Sequence, residues 1–124
     1  MLPSNRVVAA IDDDRRVRES IQSMLESAGY DAVTFESGEA FLESGALSGV
    51  ACLVADVRLP GIDGLELQRR VRRDRPNMPI IFITAHDDDD VRRRAVKEGA
   101  VAFMVKPFDG GELLELIARS TSES

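Results

Sequence analysis

Polar residues stand where short apolar runs end. Asp12, Asp13 and Asp14 follow Val7-Val8-Ala9-Ala10-Ile11, Asp56 follows Cys52-Leu53-Val54-Ala55, Thr84 follows Ile80-Ile81-Phe82-Ile83, and Lys106 follows Val101-Ala102-Phe103-Met104-Val105. Lysine is scarce, with only Lys97 and Lys106 in a chain whose other basic residues are arginine. Carboxylates gathered in one place raise one another's pKa unless a cation lies among them. A hard divalent ion with oxygen ligands, Mg²⁺ before others, relieves that repulsion. A carboxylate surrounded by metal, ammonium and hydroxyl suits phosphoryl transfer: the carboxylate attacks phosphorus and the cations neutralise charge on the phosphoryl oxygens. Asp56 is best placed as the nucleophile. It closes a buried central strand and precedes Val57-Arg58-Leu59-Pro60-Gly61-Ile62-Asp63-Gly64, whose glycines permit a tight path and the close approach of another molecule. A blander alternative is that strands simply end where polarity begins. It does not explain why the first and third end in Asp while the last ends in a lone Lys.

For these residues to meet, the apolar runs must be neighbouring strands. Runs of four or five residues rich in β-branched side chains fit strands buried on both faces of a parallel sheet. A weaker run, Ala32-Val33-Thr34-Phe35, fits a strand nearer an edge. Between the runs lie helical spacings: Val17, Ile21, Met24, Leu25 and Ala28 before Gly29; a short segment from Gly38 to Ser44; Leu65, Leu67 and Val71 before Pro76; Val91, Ala95 and Val96 before Gly99; and Leu113, Leu114, Ile117 and Ala118. Strand and helix alternate throughout, which predicts an α/β fold of parallel strands, right-handed crossovers and helices on both faces. The carboxyl ends of the strands then share one edge, and ligands bind there where strand order reverses.

Composition narrows the class. The 124 residues carry 22 acidic and 16 basic side chains, a formal net charge of −6, and 44% are hydrophobic. One domain with its own core is expected at this length. The lone Cys52 excludes a disulfide scaffold and reads as a small hydrophobe in a strand. No apolar run reaches the roughly 18–20 residues of a membrane span, and the start has no signal-peptide core, so a cytoplasmic protein without membrane contact is expected. The acidic balance argues against non-specific nucleic-acid binding. Met1–Asn5 reads as an N-terminal tail, residues 6–119 as the domain, and residues 120–124 as a C-terminal tail or the start of a linker.

The motifs Ile11-Asp12-Asp13-Asp14, Asp56-Val57-Arg58-Leu59-Pro60-Gly61-Ile62-Asp63-Gly64, Ile83-Thr84-Ala85 and Phe103-Met104-Val105-Lys106-Pro107-Phe108 together resemble the receiver domain of two-component response regulators over residues 6 to 119. The resemblance implies a (βα)5 doubly wound sheet in the order 2-1-3-4-5, a flavodoxin-like three-layer sandwich. It implies that Asp56 accepts a phosphoryl group from a sensor histidine kinase. Mg²⁺ would be held by the side chains of Asp13 and Asp56 and the main-chain carbonyl of Arg58, with Asp12 acting mainly through water. Lys106 would pair with Asp56 or its phosphoryl group. Thr84 and Phe103 would shift on phosphorylation and remodel the surface of the fourth helix and fifth strand, where a homodimer could form. The Lys106–Pro107 bond would be cis. Arg58, Ala85 and His86 occupy positions that tune how readily water reaches the acyl phosphate. With Phe rather than Tyr at 103, readout rests on packing and not on a ring hydroxyl.

The pattern Asp-Val-Arg-Leu-Pro-Gly is similar to nitrogen-fixation-type transcription regulators, in which a DNA-binding domain follows the receiver. Any DNA contact would lie in such an output domain, absent from these residues. The ending Thr121-Ser122-Glu123-Ser124, just past the last helix, fits a receiver segment of such a regulator, and a stand-alone regulator acting through protein contacts is the alternative. On either reading the chain is a signalling module with self-catalysed phosphotransfer and dephosphorylation, not an enzyme turning over a metabolite. A Mg²⁺-dependent aspartyl-phosphate phosphatase is a further alternative, but its acid/base Asp would fall at Arg58.

Three other features are read as structural. Asp14 fits an N-cap of the first helix. Asp87 to Asp90 cannot converge on one ion, because successive helical residues point roughly 100° apart; they fit a helix start whose acids pair with Arg92, Arg93 and Arg94 four residues on. Arg69, Arg70, Arg72, Arg73 and Arg75 wrap around the third helix without stacking aromatics and read as a solvated face.

Overall fold

The computed structural model describes residues 6–121. In chain order the elements are β1 (Val7–Ile11), α1 (Arg15–Ser27), β2 (Asp31–Phe35), α2 (Gly38–Ser44), a 3-10 turn (Ala46–Gly49), β3 (Cys52–Asp56), α3 (Gly64–Asp74), β4 (Ile80–Thr84), α4 (Asp89–Lys97), β5 (Ala102–Val105) and α5 (Gly110–Thr121). The five strands are parallel in the order β2-β1-β3-β4-β5. The α/β expectation, the strand order and the edge position of the weak second strand are all met.

The two-residue period of the strands divides the core. Ala9, Ile11, Leu53, Ala55, Ile80 and Phe82 face one way, against Phe41 of α2, Leu67 and Val71 of α3 and Ala95 of α4. Val8, Ala10, Cys52, Val54, Ile81 and Ile83 face the other way, against Ile21 and Leu25 of α1 and Leu113 and Ile117 of α5. Every residue of β3 and β4 is buried, as strands covered on both faces require. All five helices begin on side-chain caps: Asp14 accepts from the Arg16 N–H, Ser37 from Ala40, Asp63 from Glu66, Asp88 from Asp90 and Val91, and Asp109 from Gly111. Each such cap is worth about 1 kcal/mol against alanine. Gly29, at φ +92°, turns the chain after α1 as expected.

Four expectations need correcting. The last helix runs through Ser120 and Thr121, whose hydroxyls donate to the Ile117 carbonyl, so the tail does not begin at residue 120; the tails at residues 1–5 and 122–124 lie outside the described residues. β5 starts at Ala102, and Val101 is 43% exposed. In α4, Asp88 serves as cap, and the ion pairs are Arg92 with Asp87 and Arg93 with Asp90, not pairs four residues apart. The arginines of α3 are not all solvated struts of one face. Arg69 and Arg70 pair with Glu66 on the surface, but Arg72 donates to the carbonyls of Met78, Glu98 and Gly99, and Arg75 to those of Leu47 and Val50. A guanidinium carries donors in several directions, and here they close open carbonyls at the sheet end remote from the acids.

Candidate phosphoryl-transfer site

The chain runs from β1 to β2 on one side and returns to β3 on the other, so strand order reverses between β1 and β3. Asp12 and Asp56 stand at the carboxyl ends of those two strands, in the crevice this reversal creates. Both are buried, and each is held in the same way. Asp12 Oδ1 accepts the Asp14 N–H at 2.9 Å and Asp56 Oδ1 accepts the Arg58 N–H at 2.9 Å, each two residues on. The other oxygen of each, Oδ2, accepts from Lys106 Nζ at 3.0 Å. Arg18, on α1, donates to the Asp12 carbonyl at 2.7 Å and steadies the turn between β1 and α1.

Burial pushes the Asp12 carboxyl above its usual range and the neighbouring Asp56 adds to this, against the lowering by the Asp14 N–H and Lys106. Burial also acts to lower the Lys106 ammonium, but the hydrogen bonds and charges of Asp12 and Asp56 outweigh it and hold Lys106 above its ordinary value. Exposed Asp13 completes the group, with one oxygen each of Asp12, Asp13 and Asp56 lying within 4.8 Å of one another. Three carboxyl groups against one ammonium give the cluster a formal charge of −2, and its donors are all oxygen. A hard divalent cation fits that set.

Thr84 closes β4 and is buried; its Oγ1 accepts the His86 N–H at 3.1 Å, and its carbonyl accepts the Lys106 N–H at 2.7 Å. Ala85, His86 and Arg58 are exposed around the pocket. Phe103 is partly buried on the face of α2, α3 and α4. The Lys106–Pro107 bond is cis.

Two contributors escape a reading of the sequence. Glu39 of α2 accepts the Ile62 N–H at 2.9 Å and so fixes the loop after Asp56. That bond holds the Glu39 carboxyl below its usual range, with Arg70 assisting. No local signal marks it, since the partners are 23 residues apart. Gly64 was legible only as a flexible loop residue. Its role is closeness: a Cβ there would sit 2.7 Å from Val57 Cα and 2.9 Å from the Asp56 carbonyl oxygen.

Paired buried aspartates, a threonine and a lysine thus stand together at the carboxyl ends of four neighbouring strands of a doubly wound sheet, β1, β3, β4 and β5. The family model described as response regulator receiver domain matches residues 8–118, and the chain belongs to that family. It is 40% identical over 112 residues to the transcriptional regulatory protein FixJ of Bradyrhizobium diazoefficiens, covering 89% of this chain and 54% of that protein. It is 41% identical over 115 residues to nodulation protein W of the same organism, covering 93% of this chain and 51% of that one. The chain thus spans about half the length of these relatives. Among solved structures, the beryllofluoride-activated NtrC4 receiver domain dimer superposes with a TM-score of 0.86 at 27% identity, covering 93% of this chain and 95% of that one.

Proposed function

We propose that this receiver accepts a phosphoryl group on Asp56 from a phosphohistidine of a sensor histidine kinase, with Mg²⁺ bound at Asp12, Asp13 and Asp56 and at the Arg58 carbonyl. The observation that carries the reading is the shared Lys106 ammonium, 3.0 Å from both Asp12 and Asp56. It orients the Asp56 side chain and offers a positive charge to the oxygens of an arriving phosphoryl group. An Asp56 oxygen forms the bond to phosphorus as the bond to the histidine nitrogen breaks, and the imidazole keeps that electron pair and takes up a proton. Mg²⁺, when bound, supplies charge neutralisation at the phosphoryl oxygens. Arg58, Ala85 and His86 line the approach of water and set how long the acyl phosphate lasts.

The phosphoryl group adds roughly one negative charge and new acceptor oxygens. The Thr84 hydroxyl donates to one of them, and the space it leaves is filled by Phe103, which remodels the α4 and β5 face. The output is altered binding: no metabolite is turned over. Likeness to the transcriptional regulatory protein FixJ supports control of transcription, which we assign to a DNA-binding domain outside these residues, and likeness to the NtrC4 dimer supports self-association of the activated form, which we assign to the α4 and β5 face. Among the described residues no helix is long and apolar enough to cross a membrane.

Incubation with Mg²⁺ and acetyl phosphate, followed by intact-protein mass spectrometry, is expected to show addition of one phosphoryl group. Asp56→Asn abolishes it. Equal addition in the variant overturns the assignment.

A further inference from the structure

The switch contains a residue that the phosphoacceptor chemistry does not use. Arg92, in the first turn of α4, places its guanidinium carbon 5.2 Å from the centre of the Phe103 ring. The same guanidinium is ion-paired with Asp87, in the loop joining β4 to α4. That loop is in turn tied to Thr84 through the His86 N–H. Thr84, His86, Asp87, Arg92 and Phe103 therefore form a continuous path from the phosphoacceptor pocket to the α4 and β5 face.

One atom in the path is poorly placed. Arg92 Nε is buried and has no hydrogen-bond partner. A donor withdrawn from water without a partner is costly, and it stays withdrawn only while the rest of its group is held. Here the holders are the Asp87 carboxylate and the face of the Phe103 ring, the latter an attraction between a cation and the ring quadrupole. If either contact is lost, the guanidinium gains by swinging out and hydrating Nε.

We propose that Arg92 is a positioning residue of the switch: clamped by Asp87, it seats the Phe103 ring in the resting conformation, and activation at Asp56 must break this clamp. The inference rests on the receiver reading of Asp56. When Thr84 moves toward a phosphoryl oxygen it draws on the loop that carries Asp87, the ion pair opens, and the ring is freed to follow. A ligand that binds the activated state pays for this release, so its apparent affinity falls by the fraction of molecules already released.

The test uses the full chain with its phenylalanines replaced by a fluorinated analogue, the Phe103 signal being assigned by its loss in Phe103→Leu. In the resting protein, without any phosphoryl mimic, Arg92→Gln and Asp87→Asn are each expected to move the Phe103 fluorine resonance while leaving those of the other phenylalanines in place. In Mg²⁺, titration with beryllofluoride is expected to reach half-saturation at a concentration about two- to fivefold lower in Arg92→Gln than in the unaltered chain, as loss of one cation–ring contact implies. In a Phe103→Leu background the Arg92 substitution is expected to have no further effect. An unmoved Phe103 resonance in Arg92→Gln, or an unchanged or higher half-saturating concentration, overturns the proposal. Failure of the receiver reading looks different: beryllofluoride then gives no Asp56-dependent response in any variant, while the fluorine signal of the resting protein still decides whether the clamp exists.

Discussion

Lys106 is the positive charge shared by two buried carboxylates, and its removal separates the static role of the pocket from its chemical one. Without the ammonium, Asp12 and Asp56 face each other with one backbone N–H apiece. Lys106→Ala is expected to lower stability in metal-free buffer by about 1.5–3 kcal/mol, the range for losing hydrogen bonds to charged groups. Urea denaturation measures it, and added Mg²⁺ is expected to restore part of the loss, because a second cation enters the same cluster. At this scale the sequence was most informative. Asp12, Asp13, Asp56, Thr84 and Lys106 could be found because each ends an apolar run, and strand ends in a parallel sheet converge. Arg92 could not be found this way: its spacing pointed to Asp88 four residues back, but Asp88 is spent capping α4 and the guanidinium turns to Asp87 and the Phe103 ring.

The elements hold these residues by contacts that are distant along the chain, which is why the loop after β3 was harder to read than the strands. Its start is fixed by closeness at Gly64. In Gly64→Ala the new Cβ meets backbone on two sides and cannot be relieved by a side-chain rotation. A loss of about 1–3 kcal/mol is expected, the usual cost of overpacking, together with slower phosphorylation because Asp56 itself is displaced; denaturation and acetyl phosphate labelling measure the two effects. The loop's middle is fixed by Glu39, which reaches it from α2. Because the folded protein holds the Glu39 carboxyl below its ordinary value of 4.5, its contribution is complete above that pH and is lost as pH falls through the lower folded value. The gap in urea midpoint between the unaltered chain and Glu39→Gln is therefore expected to be constant near neutrality and to close below about pH 4.5. A gap that stays constant down to pH 3 would exclude the Glu39 bond as a pH-dependent tie. The arginines of α3 follow the same lesson: charge pattern alone made all five a solvated face, but the carbonyls that Arg72 and Arg75 close belong to segments far away in sequence.

For the molecule as a whole, acidity is concentrated where a cation is needed and dispersed elsewhere among caps and surface pairs. Binding of Mg²⁺ to the folded state alone must raise thermal stability by mass action, by about 1 kcal/mol when the ion is at five times its dissociation constant. For a domain of this size that is about 3–5 °C in melting temperature. Calorimetry with and without Mg²⁺ tests it, and Asp13→Asn, which removes the exposed carboxylate of the cluster, is expected to abolish most of the rise. The buried Cys52 thiol, pushed up to about 11, offers no competing ligand or nucleophile at neutral pH.

The braces on α3 have a mechanical meaning for α4. Arg72 ties down the carbonyls of Glu98 and Gly99, immediately after the end of α4, whereas the start of that helix is attached to the loop that carries Asp87. One end is anchored and the other is joined to the loop that the proposed switch would displace. A helix of nine residues is about 13 Å long. Any displacement of its first turn would therefore be a tilt about a fulcrum at Arg72 rather than a slide, with an excursion growing from Lys97 toward Asp89. A partner reading this face would sense an angle, and the residues best placed to report it are those farthest from the pivot.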